Sequence, residues 1–489
     1  MPLHLTRPTP ERRRRDPATV LRSGLILALC LPLYLLLAAC AHQAPTVPEP
    51  EPAPAQFKES EAQNPGQPDA AGAKVPPAWW QLFQDPVLDA LEQRVAISNE
   101  NLKASLAQLA SARATLSGSQ SATEPTLGVN LSGSRSASAN SSSDSGTPPV
   151  NSVSLGATAS WELDLWGRLS LATQGAQATV RAAEADLAAI RLSAQATLAQ
   201  TYFALRSAEV QQSLLKRSVE AYQRALDLTQ ARYDAGVAPQ TDVLQANTQL
   251  STARTQLADV AAQRAQYEHA IAVLAGQAPS TFSLDATAQL PANLKVPDSL
   301  PADLLQRRPD IAASQQRVRA AYAQIGVTDA AFFPSLTLSA SAGYAQSSLA
   351  NLISAPNLFW SLGASVGQTI FDGGSRQLAS DQARANADQV SANYRQLVLT
   401  ALQEVEDNLV LAKRLDEELQ SQTSATQSSD RTLQLVLEQY RAGTVSYLNV
   451  TSAQGTALAS EINLLAIRTR QLNATNTLLK NIAGSWDNN

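Results

Sequence analysis

Few residues of this chain are of the types that carry out catalysis, and they are not arranged for it. The 489 residues include two cysteines, Cys30 and Cys40, and three histidines. No GxSxG, HExxH or phosphate-loop pattern occurs. The sequence therefore predicts that the protein is not an enzyme, with no catalytic residue, no cofactor and no bound metal. The chemically distinctive residue is Cys40, which directly follows an apolar run.

The segment before Cys40 has the organisation of an export signal. Arg12–Arg15 and Arg22 form a basic region, and the apolar run Gly24–Ala39 that follows is 16 residues long. A membrane-spanning helix needs about 20 residues, so a cleaved signal is favoured. The sequence Leu37-Ala38-Ala39-Cys40 resembles the lipobox of bacterial lipoproteins. This resemblance implies acylation of Cys40 and attachment to outer-membrane lipid.

Charge and composition limit the class of protein further. The formal net charge is −5, so a nucleic-acid partner is not expected. Aromatic residues make up 5% and charged residues 16% of the chain. These values fit long helices packed through small residues better than a compact enzyme with a large aromatic core.

The chain contains an internal duplication with an offset of 207 residues. Ser154–Gly167 (SLGATASWELDLWG) corresponds to Ser361–Gly374 (SLGASVGQTIFDGG), and Tyr233–Gly236 (YDAG) corresponds to Tyr440–Gly443 (YRAG). In each copy, an alternating, strand-like stretch continues into a long stretch without proline. The sequence therefore predicts two copies of a unit that contains both strands and long helices.

The segments without proline predict long helices. Residues 167–234 and 374–441 each have apolar side chains at spacings of three and four, and each could extend roughly 100 Å. Gly236 and Gly443 follow them as the expected helix stops. Second helices over about 240–276 and 446–482 complete two antiparallel helical hairpins.

Strict alternation marks the strands. From Ser152 to Leu165 every second residue is apolar, and a partner strand begins after Pro125. The second copy repeats this over about 335–371. A half-exposed soluble sheet would alternate in the same way. The other face, however, carries Ser, Thr and Gly rather than Lys and Glu, and the strands have the length of tilted membrane strands.

Four strands cannot close a barrel, for which about eight is the practical minimum. An unclosed sheet in lipid would leave backbone groups without hydrogen bonds, at several kcal/mol each. The barrel must therefore be shared between copies of the chain. Two, three or four copies would give eight, twelve or sixteen strands, and this count does not choose among them.

Four ordered motifs carry a resemblance to a known family. They are YEHAIAVLAG (267–276), RRPDI (307–311), ELDLWGR (162–168) and FDGG (371–374). Together with the lipobox and the duplication, they resemble the TolC-like outer-membrane efflux channels, in the lipoprotein branch of multidrug efflux factors. The resemblance covers about 79–486 and implies an outer-membrane location.

The family resemblance implies the architecture and the partners. The expected fold is an α+β membrane protein. Its trimer shares a 12-stranded transmembrane β-barrel, with four strands per chain, that continues into a long periplasmic α-helical barrel. The expected partners are the two other copies of the homotrimer, a periplasmic adaptor protein and an inner-membrane pump of the resistance-nodulation-division type. The implied function is passive export of drugs or other small toxic solutes.

These interpretations divide the chain into five segments. They are a signal peptide (1–39), a lipidated tether (40–78), a first repeat (79–276, with a β-hairpin at 126–165 and a helical hairpin at 167–276), an equatorial segment (277–305) and a second repeat (306–489, with a β-hairpin at 335–371, a helical hairpin at 374–482 and a C-terminal tail).

The family closes its periplasmic end with apolar and acidic rings at the helix turns. Leu448 matches the apolar ring, whereas Ser452 and Asn449 stand where relatives carry acids. Asp242, which corresponds to Asn449 in the first repeat, is the alternative source of a negative ring. It could equally be an acidic residue that stabilises the start of its helix. The turns at Gly236 and Gly443 are the expected docking sites for the adaptor.

Two other functions are compatible with the sequence. The chain could be the outer channel of a protein-secretion system, or a structural periplasmic lipoprotein that does not conduct. Adaptor-type lipoproteins usually have one helical hairpin and no duplicated membrane-type strands.

Overall fold

The computed structural model describes residues 46–47, 57–59, 78–137, 149–292 and 308–482. In chain order the helices and strands are α1 (Pro86–Ser98), α2 (Glu100–Ser121), β1 (Thr126–Ser136), β2 (Val150–Leu163), α3 (Arg168–Asp234), α4 (Gln240–Leu274), α5 (Pro309–Ala330), β3 (Ser335–Gln346), β4 (Leu358–Gly367), α6 (Ser375–Arg441) and α7 (Tyr447–Ile482). Short 3-10 helices occur at Trp79–Phe83, Pro279–Thr281 and Ala355–Asn357. Cys40, the signal peptide, nearly all of the tether, Arg307 and the C-terminal tail lie outside the described residues.

The chain divides into two compact units. The sheet unit includes Leu116–Ala176 and Ala320–Ala387. The helical unit includes Pro48–Thr115, Gln177–Arg319 and Asp388–Asn489. Within the described residues, no helix is both long enough and apolar enough to cross a membrane.

The sheet unit contains one antiparallel sheet of four strands in the order β1-β2-β3-β4. The pairing of β2 with β3 joins the hairpin of the first repeat to that of the second, with Ala157 opposite Ala342. Strands β1 and β4 lie at the two edges, and all their side chains are exposed in the single chain. The result is an open sheet with two unpaired edges.

The central pair of strands approaches closely at two glycines. Gly156 of β2 lies opposite Gly343 of β3. A Cβ added to Gly343 would lie 2.7 Å from the Cα of Gly156 and would also clash with the carbonyl oxygen of Leu155. Position 343 therefore requires glycine for steric reasons, even though its backbone angles are ordinary.

An aspartate fixes each joint between a strand and a long helix. Asp164 accepts hydrogen bonds from the backbone N–H groups of Leu169 and Ser170 at 3.0 and 2.7 Å. Asp372 accepts bonds from those of Gly374 and Arg376 at 3.0 and 3.2 Å. The first N–H groups of a helix have no partner within the helix, so these carboxylates stabilise the starts of α3 and α6.

The long helices end at glycines, for a local reason. Gly236 has φ +76° and Gly443 has φ +78°, a region that side chains disfavour. The residue after each glycine donates its N–H to a carbonyl five residues earlier: Val237 to Arg232, and Thr444 to Gln439. This is the Schellman pattern, which ends a helix by satisfying its last carbonyls.

The helices of the helical unit pack as antiparallel pairs. In the first repeat, Leu215 of α3 packs against Val260 of α4, and Tyr222 packs against Leu250. In the second repeat, Leu415 of α6 packs against Ile467 of α7. The largest cluster gathers aromatic rings from the start of the repeat and from α3, including Trp79, Phe83, Tyr202 and Phe203. The tryptophans there are packing residues.

Candidate functional site

The turns at the ends of the two helical hairpins lie together in one apolar cluster, here called the turn cluster. It contains Ala246 from α4, Tyr440 from α6, and Tyr447 and Val450 from α7, with Leu226 of α3 partly buried against them. Residues of both repeats contribute, so the two turns are held against each other.

Arg232, near the end of α3, connects the two repeats within the turn cluster. Its Nη1 donates to the carbonyl oxygen of Tyr440 at 2.9 Å, and its guanidinium lies 4.8 Å from the centroid of the Tyr440 ring. Arg232 therefore holds Tyr440 in two ways, by a charged hydrogen bond to its backbone and by a cation–π contact with its ring.

The predicted constriction residues of α7 lie on the face opposite the turn cluster. Leu448 keeps 59% of its surface exposed, and Asn449 and Ser452 are also exposed. Their neighbours Tyr447 and Val450 are buried. This face of α7 is therefore free, within the chain, to face a lumen or another copy.

Asp242 has a different environment from its counterpart Asn449. It lies in the first turn of α4 and is half-buried. Its side chain makes no hydrogen bond that caps the helix, since α4 begins after Pro239 without a side-chain cap. The helix dipole favours an acid in the first turn, so the position of Asp242 is suited to stabilising the start of α4. The half-exposed carboxylate is also available to ions.

Asp242 acts electrostatically on the turn cluster. Burial raises the pKa of Tyr447 to about 12, and the charge of Asp242 contributes to that rise after the neighbouring tyrosines. The Tyr447 hydroxyl therefore stays neutral at physiological pH. It is a hydrogen-bond donor and acceptor inside the cluster and not a charged group.

A buried ion network, which the sequence did not single out, fixes the segment after α4. Arg206 and Glu209 of α3 pair at 2.7 Å, and both are almost completely buried. Arg264 of α4 joins them through Glu209 at 3.2 Å. Both arginines donate to backbone carbonyls of the inter-repeat segment, Leu284 and Asp285. Periodicity cannot reveal such a network, because Arg264 lies 55 positions from Glu209 in the sequence.

Arg308 of the RRPDI motif binds side chains of three different helices. Arg308 donates to both oxygens of Asp310 at 3.1 and 2.7 Å. It also donates to Glu404 of α6 at 2.9 Å and to Asn481 of α7 at 3.1 Å. The motif therefore ties the start of α5 to two helices of the second repeat.

Two tryptophans are anchored at the ends of strands in the sheet unit. Trp161 donates its indole N–H to the carbonyl oxygen of Thr123 at 2.9 Å, and Trp166 donates to that of Pro334 at 2.5 Å. Trp166 also stacks on Phe333, with ring centroids 5.0 Å apart. Trp360 of β4 is 73% exposed. The first two are anchored residues, and Trp360 presents an open apolar surface.

Nothing in the described ranges is arranged for metal chemistry. No group of three or more His, Cys, Asp or Glu side chains in them is close enough together to hold a metal ion. The two candidate functional features of the chain are the turn cluster, with the exposed face of α7 beside it, and the open sheet.

The profile of one protein family matches most of the chain. The outer membrane efflux protein profile matches twice, over residues 91–277 and 300–484. Each match covers one copy of the repeated unit, which supports the duplication read from the sequence.

Curated relatives match along nearly their full length. ArpC, an antibiotic efflux pump outer membrane protein of Pseudomonas putida, is 30% identical over 450 residues, which are 91% of this chain and 92% of ArpC. OpmQ, a pyoverdine export outer membrane protein of Pseudomonas aeruginosa, is 30% identical over 462 residues, covering 92% of this chain and 95% of OpmQ.

A solved structure shares the fold. The outer-membrane channel OprN aligns with a TM-score of 0.84 and 28% identity, covering 91% of this chain and 99% of the OprN chain. The sequence motifs, the family profile and the fold therefore agree.

Proposed function

Because this chain belongs to the outer membrane efflux protein family, it is an outer-membrane channel component of an efflux system, and we propose that three copies form its conduit. In this arrangement each chain contributes four strands to a shared 12-stranded barrel. Solutes pass through the lumen without any chemical step. The chain's part is to provide a polar passage, a narrow end and a means of opening it.

The observation that carries the shared-barrel proposal is the open sheet, and the number of three copies is the one that the family resemblance implies. The edge strands β1 and β4 have no partner on their outer sides within the described sheet, while Leu127, Val129 and Leu362 are 74–77% exposed. Unpaired backbone groups are not tolerated in lipid. Pairing β1 of one copy with β4 of the next removes both edges at once and gives a closed ring.

The narrow end is proposed to lie at the turns of the hairpins. Leu448, Asn449 and Ser452 share the exposed face of α7, and Leu448 supplies an apolar ring when three copies meet. Asp242 is the proposed source of negative charge at the same end. A ring of carboxylates at a constriction favours cations and polar solutes.

The proposed partners follow from the family. A periplasmic adaptor would contact the exposed turns at Gly236 and Gly443, and through it the channel would receive solutes from a pump of the resistance-nodulation-division type. The relatives ArpC and OpmQ are named for the export of antibiotics and of pyoverdine. We propose small toxic solutes as the substrate class, with Cys40 acylated as the lipid attachment.

Disulfide crosslinking between edge strands tests the shared barrel. Val129→Cys in β1 is combined in turn with Leu362→Cys, Ala364→Cys or Val366→Cys in β4, which scans the register between copies. At the correct register, oxidation is expected to give bands of one, two and three linked chains on a non-reducing gel. The trimer band should dominate as the reaction completes.

Two controls give the crosslinking result its meaning. Each single-cysteine variant should stay monomeric on the gel. Ala157→Cys with Leu362→Cys should also fail to link, because β2 is flanked on both sides by β1 and β3. Absence of linked species at every register, together with a monomer in mild detergent, would refute the shared barrel.

A further inference from the structure

A small cavity lies beside the RRPDI motif, within the helical unit. It has a volume of about 260 Å³. Its polar lining comes from Arg308 and Asp310 at the start of α5 and from Lys480 and Asn481 at the end of α7, and its apolar wall comes from α3 through Ala189, Ile190 and Leu192. We call it the α5–α7 cavity. Neither the proposed conduit nor the turn cluster uses it.

The amide of Asn481 is held in one orientation and leaves a donor unused. Its oxygen accepts a hydrogen bond from Nη1 of Arg308 at 3.1 Å. Because a guanidinium only donates, the amide cannot be flipped without losing this bond. The Nδ2 group has no hydrogen-bond partner among the described residues, although Asn481 is only 3% exposed. Leaving a buried donor unpaired is unfavourable, so an acceptor is expected beside it.

The charge that would attract an anion to the cavity is that of Lys480. Arg308 is already neutralised by Asp310 and Glu404, at 2.7 and 2.9 Å. Burial opposes ionisation of Asp310, but Arg308 outweighs it and lowers the pKa of Asp310, with a smaller contribution from Lys480. Lys480 is half-buried and forms no ion pair in the described part of the chain. Among the described residues, the cavity therefore combines an ammonium group that forms no ion pair with an amide donor that forms no hydrogen bond.

We propose that the α5–α7 cavity binds a small aliphatic carboxylate. The two carboxylate oxygens accept from Lys480 Nζ and Asn481 Nδ2, and the hydrocarbon part lies against Ile190 and Leu192. A carboxylate fits because both protein groups are donors and a carboxylate only accepts hydrogen bonds. The cavity is smaller than the roughly 300–1,000 Å³ of sites for drug-sized ligands, so it is not a site for the larger exported solutes.

Binding would add a link between the two repeats. The carboxylate is held by Lys480 and Asn481 of α7, and its hydrocarbon part contacts Ile190 and Leu192 of α3. The ligand should therefore raise the melting temperature of the protein, because a ligand that binds only the folded state stabilises it.

The test is thermal unfolding of the purified full chain in detergent, with sodium butyrate up to about 50 mM at constant ionic strength. Butyramide, a neutral molecule of the same shape, is the matched ligand control. A saturable rise of the melting temperature with butyrate and none with butyramide is expected. An equal response to both molecules, or no saturable response to butyrate, would overturn the proposal.

Two variants locate the site. Asn481→Asp keeps an oxygen for Arg308, so the chain still folds, but it replaces the free donor with an oxygen that repels a carboxylate. Lys480→Gln removes the charge. Each should weaken butyrate binding at least about tenfold by calorimetric titration. Lys216→Gln, which removes an exposed charge on α3, should change nothing. Unchanged affinity in both cavity variants would also overturn the proposal.

Discussion

Tyr440 and Tyr447 pack edge to face across the turn between α6 and α7, with ring centroids 5.3 Å apart and both side chains at most 4% exposed. The duplication gives the first repeat Tyr233 at the position of Tyr440, yet Tyr233 is 40% exposed. Its repeat has Gln240 where the second has Tyr447. The aromatic pair is therefore specific to the second turn, and Arg232 of the first repeat packs on it.

Replacing Arg232 with Gln should loosen the connection between the repeats. The change removes the cation–π contact and the charged hydrogen bond to Tyr440, which together contribute about 2–3 kcal/mol. We expect a larger single-channel conductance or open probability in planar bilayers. Arg224→Gln, an equal change of charge at an exposed position of α3, should behave like the unaltered protein. Equal behaviour of the two variants would show that Arg232 does not restrain the turn.

Shortening Leu448 should widen the proposed constriction. Leu448→Ala removes three methyl-sized groups from each copy on the exposed face of α7, with little loss of stability because the side chain is 59% exposed. Conductance should rise, while the melting temperature stays nearly unchanged. Leu106→Ala on α2, where the leucine is 52% exposed, is the matched control and should leave conductance unaltered. If both variants conduct alike, Leu448 does not form the ring.

The pair Asp242 and Asn449 separates the two roles considered for the acid. If Asp242 forms a selectivity ring, Asp242→Asn should lower the cation-to-anion permeability ratio measured from reversal potentials in a salt gradient. Asn449→Asp should raise the ratio, because it adds a carboxylate at the equivalent exposed position. If Asp242 only stabilises the start of α4, permeability stays constant and stability falls by about 0.3–1 kcal/mol.

Glycine at position 343 should be essential to the sheet. In Gly343→Ala the new methyl group would lie 2.7 Å from the Cα of Gly156, and the backbone of both central strands would have to shift. Overpacking of this kind typically costs about 1–3 kcal/mol. We expect less trimer in the outer-membrane fraction and a lower melting temperature. Gly156→Ala on β2 adds the same methyl group 3.6 Å from its nearest neighbours, which is an ordinary contact, and should have little effect. Normal assembly of Gly343→Ala would contradict the close approach.

Stability should fall as the pH rises because of Glu92. Burial, with the charge of Asp89, raises the pKa of Glu92 to about 9, from the ordinary value of 4.5, and neither of its oxygens has a hydrogen-bond partner in the described part of the chain. Between pH 4.5 and about pH 9, Glu92 keeps its proton in the folded state but releases it in the unfolded state. The contribution of Glu92 to stability is therefore complete below the pKa of the unfolded state, and it is lost as the pH rises to the pKa of the folded state.

Glu92→Gln should remove most of this pH dependence, since an amide resembles the protonated acid and cannot ionise. The measurement is the melting temperature between about pH 5 and pH 8, where the unaltered protein should decline more steeply than the variant. Glu438→Gln, at an exposed position of α6, is the control and should follow the unaltered protein. Parallel curves for all three proteins would show that Glu92 is charged in the folded state.

The sequence was informative wherever structure follows from neighbouring residues. Both long helices end next to Gly236 and Gly443, since a left-handed residue after an apolar helix closes it locally. The alternation of apolar and polar residues after Pro125 and near Trp360 predicted strands. The duplication and the four motifs indicated the family, which the family profile confirms. These features depend on spacings of two to five residues, which can be read directly from the chain.

Contacts between distant residues needed the tertiary structure. The pairing of β2 with β3 sets the order of the sheet and leaves β1 and β4 as edges. It joins residues 193 positions apart (346 − 153) at Val153 and Gln346. Arg308 meets Asn481 173 positions away. The sequence by itself determined the elements, their ends and their two-fold repetition. Only the tertiary structure decided that Tyr440 is buried while its duplicate Tyr233 is exposed, because burial depends on which side chains from other segments come to lie against a residue.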